Sequence, residues 1–221
     1  MIIPTRFNGP PKSGNGGYSA GLLAAELGTV ADAVEVTLRQ PPPLEVELTV
    51  HRSEDGVEAL DGETLVASAQ PVTLTEAAVP AVPYDVAAEV SHRYPGFVTH
   101  PFPTCYTCGP ERTDGLRIFP GRLPDGRTAA PLVVPGDVTA ATVWAALDCP
   151  GGWTVPQEAR AYVLGRIAAR VTAVPQPGAR CVVTARLLAE EGRKAHVAST
   201  LWSADAGTCY ATARATWIAL R

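Results

Sequence analysis

The sequence is short of what a membrane, a nucleic acid or an oxidising compartment would require. No window reaches about 18 uninterrupted apolar residues, so no segment predicts a membrane-spanning helix. Lys and Arg never cluster enough to neutralise a phosphate backbone, and 18 basic against 22 acidic residues leave a net charge of −4. Nucleic acid is therefore not an expected partner. Met1 to Phe7 supply neither a cationic start nor an apolar stretch of the kind that directs secretion. The five cysteines are odd in number and only Cys105 and Cys108 stand close together, so no disulfide framework is predicted. These absences predict a reduced, cytoplasmic protein without a membrane partner. Charge is scarce as well, at 18% against 46% hydrophobic residues, a balance that predicts a packed core and excludes a disordered chain.

What is present reads as two similar halves. A chain of 221 residues suffices for two domains of about 100 residues each, and the 21 prolines and 20 glycines fall mostly between apolar runs, as turn punctuation. Asn15 and Gly28 bracket an Ala/Leu-rich segment and predict a first helix of about three turns. Strand-like runs follow at 33–39, 44–52 and 64–69, with a further short run at 72–75. Pro83 opens a second predicted helix over 84–92. After an irregular stretch rich in Pro, Gly and aromatics, strands are predicted at 116–119 and 128–134. A helix over 140–148 follows, capped by Asp137 or Thr139 and ended by Pro150-Gly151-Gly152, and then long strands at 161–174, 180–189, 195–203 and 209–220. Each half thus has one apolar helix rich in small residues and then several antiparallel strands. A curved sheet wrapped around such a helix buries it on most sides, which accounts for its lack of a polar face. The expected fold is α+β, two fused hotdog domains over 1–95 and 96–221, each a curved antiparallel sheet around a central helix.

Three stretches carry a resemblance: Phe7 to Tyr18 (FNGPPKSGNGGY), Leu116 to Gly121 (LRIFPG) and Val143 to Trp153 (VWAALDCPGGW). They resemble the double-hotdog acyl-CoA thioesterases of the thioesterase II-like group, and more closely a set of uncharacterised actinobacterial thioesterase-like proteins. The resemblance implies a pocket between the halves that takes an acyl-CoA or acyl-carrier-protein thioester and hydrolyses it, and a homodimer of the fused pair is one assembly open to such a chain. In that group a Gly-Gly element enters the first helix and an Asp lies within the second, which here fall on Gly16-Gly17 and Asp148. The group also places a Thr on the strand after the second helix and a Gln on the last strand, where this sequence offers Tyr162 and Thr216.

Read as chemistry, thioester hydrolysis needs a base for water and a donor for the oxyanion. Asp148, at the end of an Ala/Leu/Trp helix, is the candidate base if it faces the interface, and a binder of turn amides if it does not. A backbone amide of Gly17 or Gly16, at a helix start, is the candidate donor. Asn15 either caps that helix or bonds substrate. Asp148, Gly17 and Asn15 form the catalytic candidates, and Gly16, Tyr18, Trp153, Tyr162 and Thr216 the substrate-binding ones. Arg112, Arg117, Arg122 and Arg127 are further candidates for coenzyme A phosphates, set against an ordinary solvated role. Cys105 and Cys108 have the spacing of half a zinc knuckle or a redox pair. His92 and His100 lie close enough in sequence to complete a four-ligand set, but the commoner reading is packed or loop cysteines. No metal and no cofactor is assigned. Two other functions stay open: a non-catalytic binder of acyl thioesters, and a hotdog hydratase or dehydratase, which the lack of His in either helix region disfavours.

Overall fold

The computed structural model describes residues 1–28, 32–157 and 159–221. The chain is α+β, with one antiparallel sheet and two central helices. Helix α1 (Gly16–Ala25) precedes strands β1 (Ala33–Leu38), β2 (Thr49–Arg52), β3 (Val57–Asp61) and β4 (Thr64–Val72). Helix α2 (Tyr84–Ser91) and strands β5 (Gly121–Arg122) and β6 (Thr128–Val133) lead to helix α3 (Ala140–Gly152). Strands β7 (Tyr162–Val171), β8 (Arg180–Glu191), β9 (Lys194–Ser203) and β10 (Cys209–Ala219) complete the chain. Ten strands are ordered β2-β3-β4-β1-β7-β10-β9-β8-β6-β5 among the described residues, so the first half joins the second where β1 pairs with β7, Val36 opposite Ile167. No helix among them is long and apolar enough to cross a membrane.

Helices α1 and α3 pack on each other and on the sheet, and small residues set how closely they cross. A Cβ at Gly17 would lie 2.6 Å from Asp148 Cβ and from the Trp144 carbonyl oxygen, and one at Gly21 would lie 2.7 Å from Ala141 Cα. The backbones therefore meet where a side chain would hold them apart. Asn15 caps α1, its Oδ1 accepting from the Tyr18 N–H at 2.9 Å. Thr139, rather than Asp137, caps α3 in a reciprocal arrangement with Thr142.

Helix α3 runs four residues past the expected stop, through Pro150 to Gly152. Proline removes a helical N–H donor, but buried hydroxyls supply partners to the carbonyls around it: Thr107 donates to Ala145, Ser199 to Leu147 and Thr128 to Pro150. The second face of the sheet is covered too. Alternate residues point to opposite sides of a strand, so Ala130 and Val183 join the core around α3 while Ala129 and Val182 pack with Ala87 and Val90 of α2. The segment between β4 and α2 lies over that same outer face. Its Val79 carbonyl accepts from Thr184 and the Trp202 indole, and its Val79 N–H donates to Thr200 Oγ1.

Three local expectations are corrected. The run 44–52 is strand only from Thr49, because Glu45 takes a left-handed backbone (φ 57°) and its N–H turns to the Ile3 carbonyl. No strand forms at 116–119. Leu116 and Ile118 are buried as alternation predicts, but Arg117 between them has φ 53°, and their N–H groups bond the Tyr106 and Thr107 carbonyls of the cysteine loop instead of a strand. No separate strand forms at 72–75: β4 extends unbroken to Val72, and 73–75 are outside any strand.

Candidate active site

The start of α1 and the last turns of α3 meet at Asp148. This carboxylate is 2% exposed, and its Oδ2 accepts from the Gly17 N–H at 2.9 Å. Its Oδ1 has no hydrogen-bond partner among the described residues. Burial pushes the Asp148 carboxyl up to about 7, against the Gly17 and Asn15 hydrogen bonds that favour its ionised form. Asp148 does not bond the turn amides that follow it. It faces a cavity of about 680 Å³ between the N-terminal loop, β7, β10 and the loop around Cys105.

The cavity wall is largely apolar, with Leu164 on β7, Trp217 and Ile218 on β10, and Trp153 at the end of α3. The buried Trp217 Nε1 likewise has no partner among the described residues, and Trp217 lines the same cavity as Asp148. Buried polar groups of this kind take a water or a ligand atom as partner. Gly16, the first residue of α1, also lines the cavity, and its N–H has no hydrogen-bond partner among the described residues. The helix start thereby divides its amides: the Gly17 N–H bonds the carboxylate, and the Gly16 N–H stays unbonded, since the first amides of a helix have no intrahelical partner.

The structure brings together Asp148, Gly16, Gly17, Asn15, Trp153 and Tyr162 and leaves out two residues of the expected set. Asn15 lines the cavity and caps α1, and its Nδ2 donates to Cys105 Sγ at 3.7 Å. The Tyr162 N–H donates to Gln157 Oε1, and Gln157 Nε2 bonds the Gly152 carbonyl, which ties the start of β7 to the end of α3. Tyr18 points away from the cavity and stacks on Phe7, ring centroids 3.8 Å apart. Thr216 is likewise outside, its Oγ1 3.2 Å from His196 Nδ1. Trp217 continues the alternation of β10, in which Ala211, Ala213, Ala215 and Ala219 are also buried, so it lies on the inner face and Thr216 on the other.

None of the four arginines around the second half lines the cavity. Arg112 is bound by Asp114 and Arg127 by Asp125. The cations that do line it are Lys12 and Arg39, both exposed. Lys12 lies within the first of the stretches that carry the family resemblance, but only the fold brings the end of β1, and with it Arg39, to the same rim.

The cavity also meets a cluster of sulfurs. Cys105, Cys108 and Cys149 lie with their Sγ atoms within 4.8 Å of one another, all buried. Cys105 Sγ is 3.9 Å from Cys149 Sγ, and Cys108 Sγ is 3.4 Å from His100 Nε2. Hydrogen bonds from Cys108 and Cys149 hold the Cys105 thiol well below its usual range. Burial pushes Cys108 up, and the bonds to Cys105 and Cys108 push up Cys149. The sequence showed the first two cysteines as a pair, and only the continuation of α3 through Cys149 adds the third.

An antiparallel sheet with apolar helices packed on it defines the hotdog class of fold. Comparison with solved structures agrees. A protein of Novosphingobium aromaticivorans assigned as a thioesterase aligns over 100% of this chain and 94% of its own, with 18% identity and a TM-score of 0.63. A hot dog fold protein from Alicyclobacillus acidocaldarius aligns over 99% of this chain and 91% of its own (15% identity, TM-score 0.61). The acyl-CoA thioesterase II of Mycobacterium marinum does so over 99% and 91% (14% identity, TM-score 0.59). No family model matches the sequence, and no curated protein matches it. At these identities the likeness is one of fold, and function has to be argued from the site.

Proposed function

We propose that the protein is a thioester hydrolase acting on an acyl-CoA or acyl-carrier-protein thioester, built from two fused hotdog units that share the cavity. Each unit has its own helix, α1 or α3, and the division falls between β4 and α2, earlier than residue 95. The ground for this is that α2 buries Ala87 and Val90 against Ala129 and Val182 of the second half.

The observation that carries the hydrolase reading is a buried Asp148 whose Oδ1 has no partner among the described residues, on the wall of a mainly apolar cavity that Gly16, with its unbonded N–H, also lines. Asp148 Oδ1 and the Trp217 indole N–H hold a water, and Asp148 takes its proton as the oxygen attacks the thioester carbonyl carbon. The resulting oxyanion is met by the Gly16 N–H. As the intermediate collapses the C–S bond breaks, the thiol leaves with the proton, and the products are a carboxylic acid and a free thiol. Leu164 and Ile218 hold the acyl chain. The named thioesterases of similar fold make the same substrate class a reasonable first choice.

The experiment is free-thiol release from short, medium and long acyl-CoAs by the purified protein. Turnover of at least one chain length is expected. Binding to every length with no thiol release would replace this reading by that of a non-catalytic acyl-thioester binder, which the position of Thr216 outside the cavity favours. Two neighbours on β10 separate the roles further. Trp217→Phe, which keeps a ring but removes the donor, should lower kcat by at least about tenfold, while Thr216→Val should leave kcat within about twofold.

The rim cations make a second, separable prediction. Lys12 and Arg39 would meet the phosphates of coenzyme A. The double substitution Lys12→Ala, Arg39→Ala is expected to raise KM several-fold with little change in kcat, and to flatten the salt dependence of kcat/KM. An unchanged KM at low salt would remove these two residues from the binding site.

A further inference from the structure

The sulfur cluster beside the cavity has a construction that packed thiols do not need. Its members come from distant segments. Cys105 and Cys108 belong to a tight loop in which a Cβ at Gly109 would lie 2.5 Å from the Cys105 nitrogen and from the Pro103 carbonyl oxygen. Cys149 sits on α3, and Thr107 Oγ1 ties the loop to that helix through the Ala145 carbonyl. Donors are aimed at two of the sulfurs. Cys105 Sγ receives Asn15 Nδ2, whose orientation is fixed because Oδ1 accepts from Tyr18. The Phe102 N–H donates to His100 Nδ1 at 2.8 Å, which places the hydrogen of the neutral ring on Nε2, 3.4 Å from Cys108 Sγ. Donors converging on sulfur suit thiolates, and thiolates packed among Tyr94, Phe119 and Trp153 need a cation to balance them.

We propose that Cys105, Cys108 and Cys149 bind a thiophilic divalent cation, zinc first, as three thiolate ligands, with the fourth position on the side of His100 and the cavity. Tetrahedral zinc with Zn–S bonds of about 2.3 Å sets its sulfurs about 3.8 Å apart, close to the 3.9 Å between Cys105 and Cys149. Zinc prefers such sulfur ligands, whereas magnesium and calcium require oxygen. Binding replaces the three S–H protons, which are released to solvent, and no electron is transferred. The outer partners are already in place: Asn15 at Cys105 and His100 at Cys108. The site neighbours Asp148 and would fix the end of α3 on which that carboxylate stands. It does not depend on the hydrolase reading, and its test uses no substrate.

The full-length protein, purified under reducing conditions without chelator, is assayed for bound metal by mass spectrometry. It is then stripped and titrated anaerobically with Co²⁺. The expected result is about one equivalent of zinc per chain and, on cobalt addition, the thiolate-to-cobalt charge-transfer band with the visible bands of a tetrahedral ion. Thermal stability should fall when the metal is removed and return when it is restored. Cys108→Ser should weaken retention against a competing chelator by at least about tenfold, while Cys209→Ser, on β10 away from the cluster, should leave it unchanged. Should the Cys108 variant fail to fold, the cobalt titration of the wild type decides alone. A folded, reduced, metal-free wild type that gives no charge-transfer band overturns the proposal. So does a native protein in which Cys105 and Cys149 are recovered as a disulfide and no metal is found.

Discussion

Asp148→Asn is expected to lower kcat for thioester hydrolysis by at least about 100-fold, within the range for loss of a general base, while the protein stays folded. The change is isosteric, and the side-chain oxygen of Asn can still accept the Gly17 N–H that now bonds Oδ2. The helix crossing is therefore kept, and what is lost is an anionic oxygen toward the cavity. Replacing the buried carboxylate also relieves its desolvation, so the melting temperature should hold or rise. Binding of acyl-CoA should be retained, because the apolar wall is untouched. Activity within tenfold of wild type would move the base elsewhere. Loss of activity together with loss of folding would show instead that Asp148 is a structural member of the α1–α3 contact. Circular dichroism and calorimetry alongside the rate assay separate these cases.

Gly17→Ala is expected to destabilise the fold by about 1–3 kcal/mol, the usual cost of an added methyl in a full site. It should also depress hydrolysis more than that loss of stability explains. The new Cβ would fall 2.6 Å from both Asp148 Cβ and the Trp144 carbonyl oxygen. Backbone has to move, and the group displaced first is the carboxylate proposed as base. Gly21→Ala, one turn further along α1, meets Ala141 Cα at 2.7 Å and should cost similar stability while perturbing the site less. Gly136→Ala serves as the control, since nothing lies within 4 Å of its added methyl and its φ is ordinary. Denaturant unfolding midpoints measure all three. A Gly17→Ala protein as stable as the Gly136→Ala one would mean that α1 and α3 are not packed this closely.

Much of the fold was legible because local chemistry and tertiary position agreed. Asn15 before an Ala/Leu run, Thr139 before another, and the long Val/Thr/Ala strands of the second half all occupy the elements their patterns imply. Strand β3 went unread although Asp55-Gly56 and Asp61-Gly62 bracket it, since Val57–Asp61 has only two buried positions to mark it. The 116–119 segment shows the opposite error: its alternation is real burial, but against the cysteine loop, where Arg117 in a left-handed conformation forbids a ladder.

At the site, sequence pattern located residues that act through local position and missed those that act through tertiary proximity. Asp148 and Gly16-Gly17 could be picked out because a carboxylate in an apolar helix and a glycine pair at a helix start are conspicuous. Trp217 was legible too, since it continues the alternation of Ala211, Ala213 and Ala215 to the buried face, but the family position fell on its neighbour Thr216. Cys149 stands apart from Cys105 and Cys108 in sequence, where only the latter two have close spacing. Hydroxyls from three other segments carry α3 through Pro150, so that Cys149 stands opposite the loop. Such compensation depends on side chains 22 to 52 residues away, and nothing near the proline announces it.

The most direct test is a crystal structure of the Asp148→Asn variant with an intact acyl-CoA. The account places the thioester carbonyl oxygen within hydrogen-bond distance of the Gly16 N–H, about 3 Å. A water would sit between residue 148 and the Trp217 indole, with the acyl chain against Leu164 and Ile218. An acyl-CoA bound with its carbonyl away from Gly16, or a cavity left empty at saturating ligand, would contradict it.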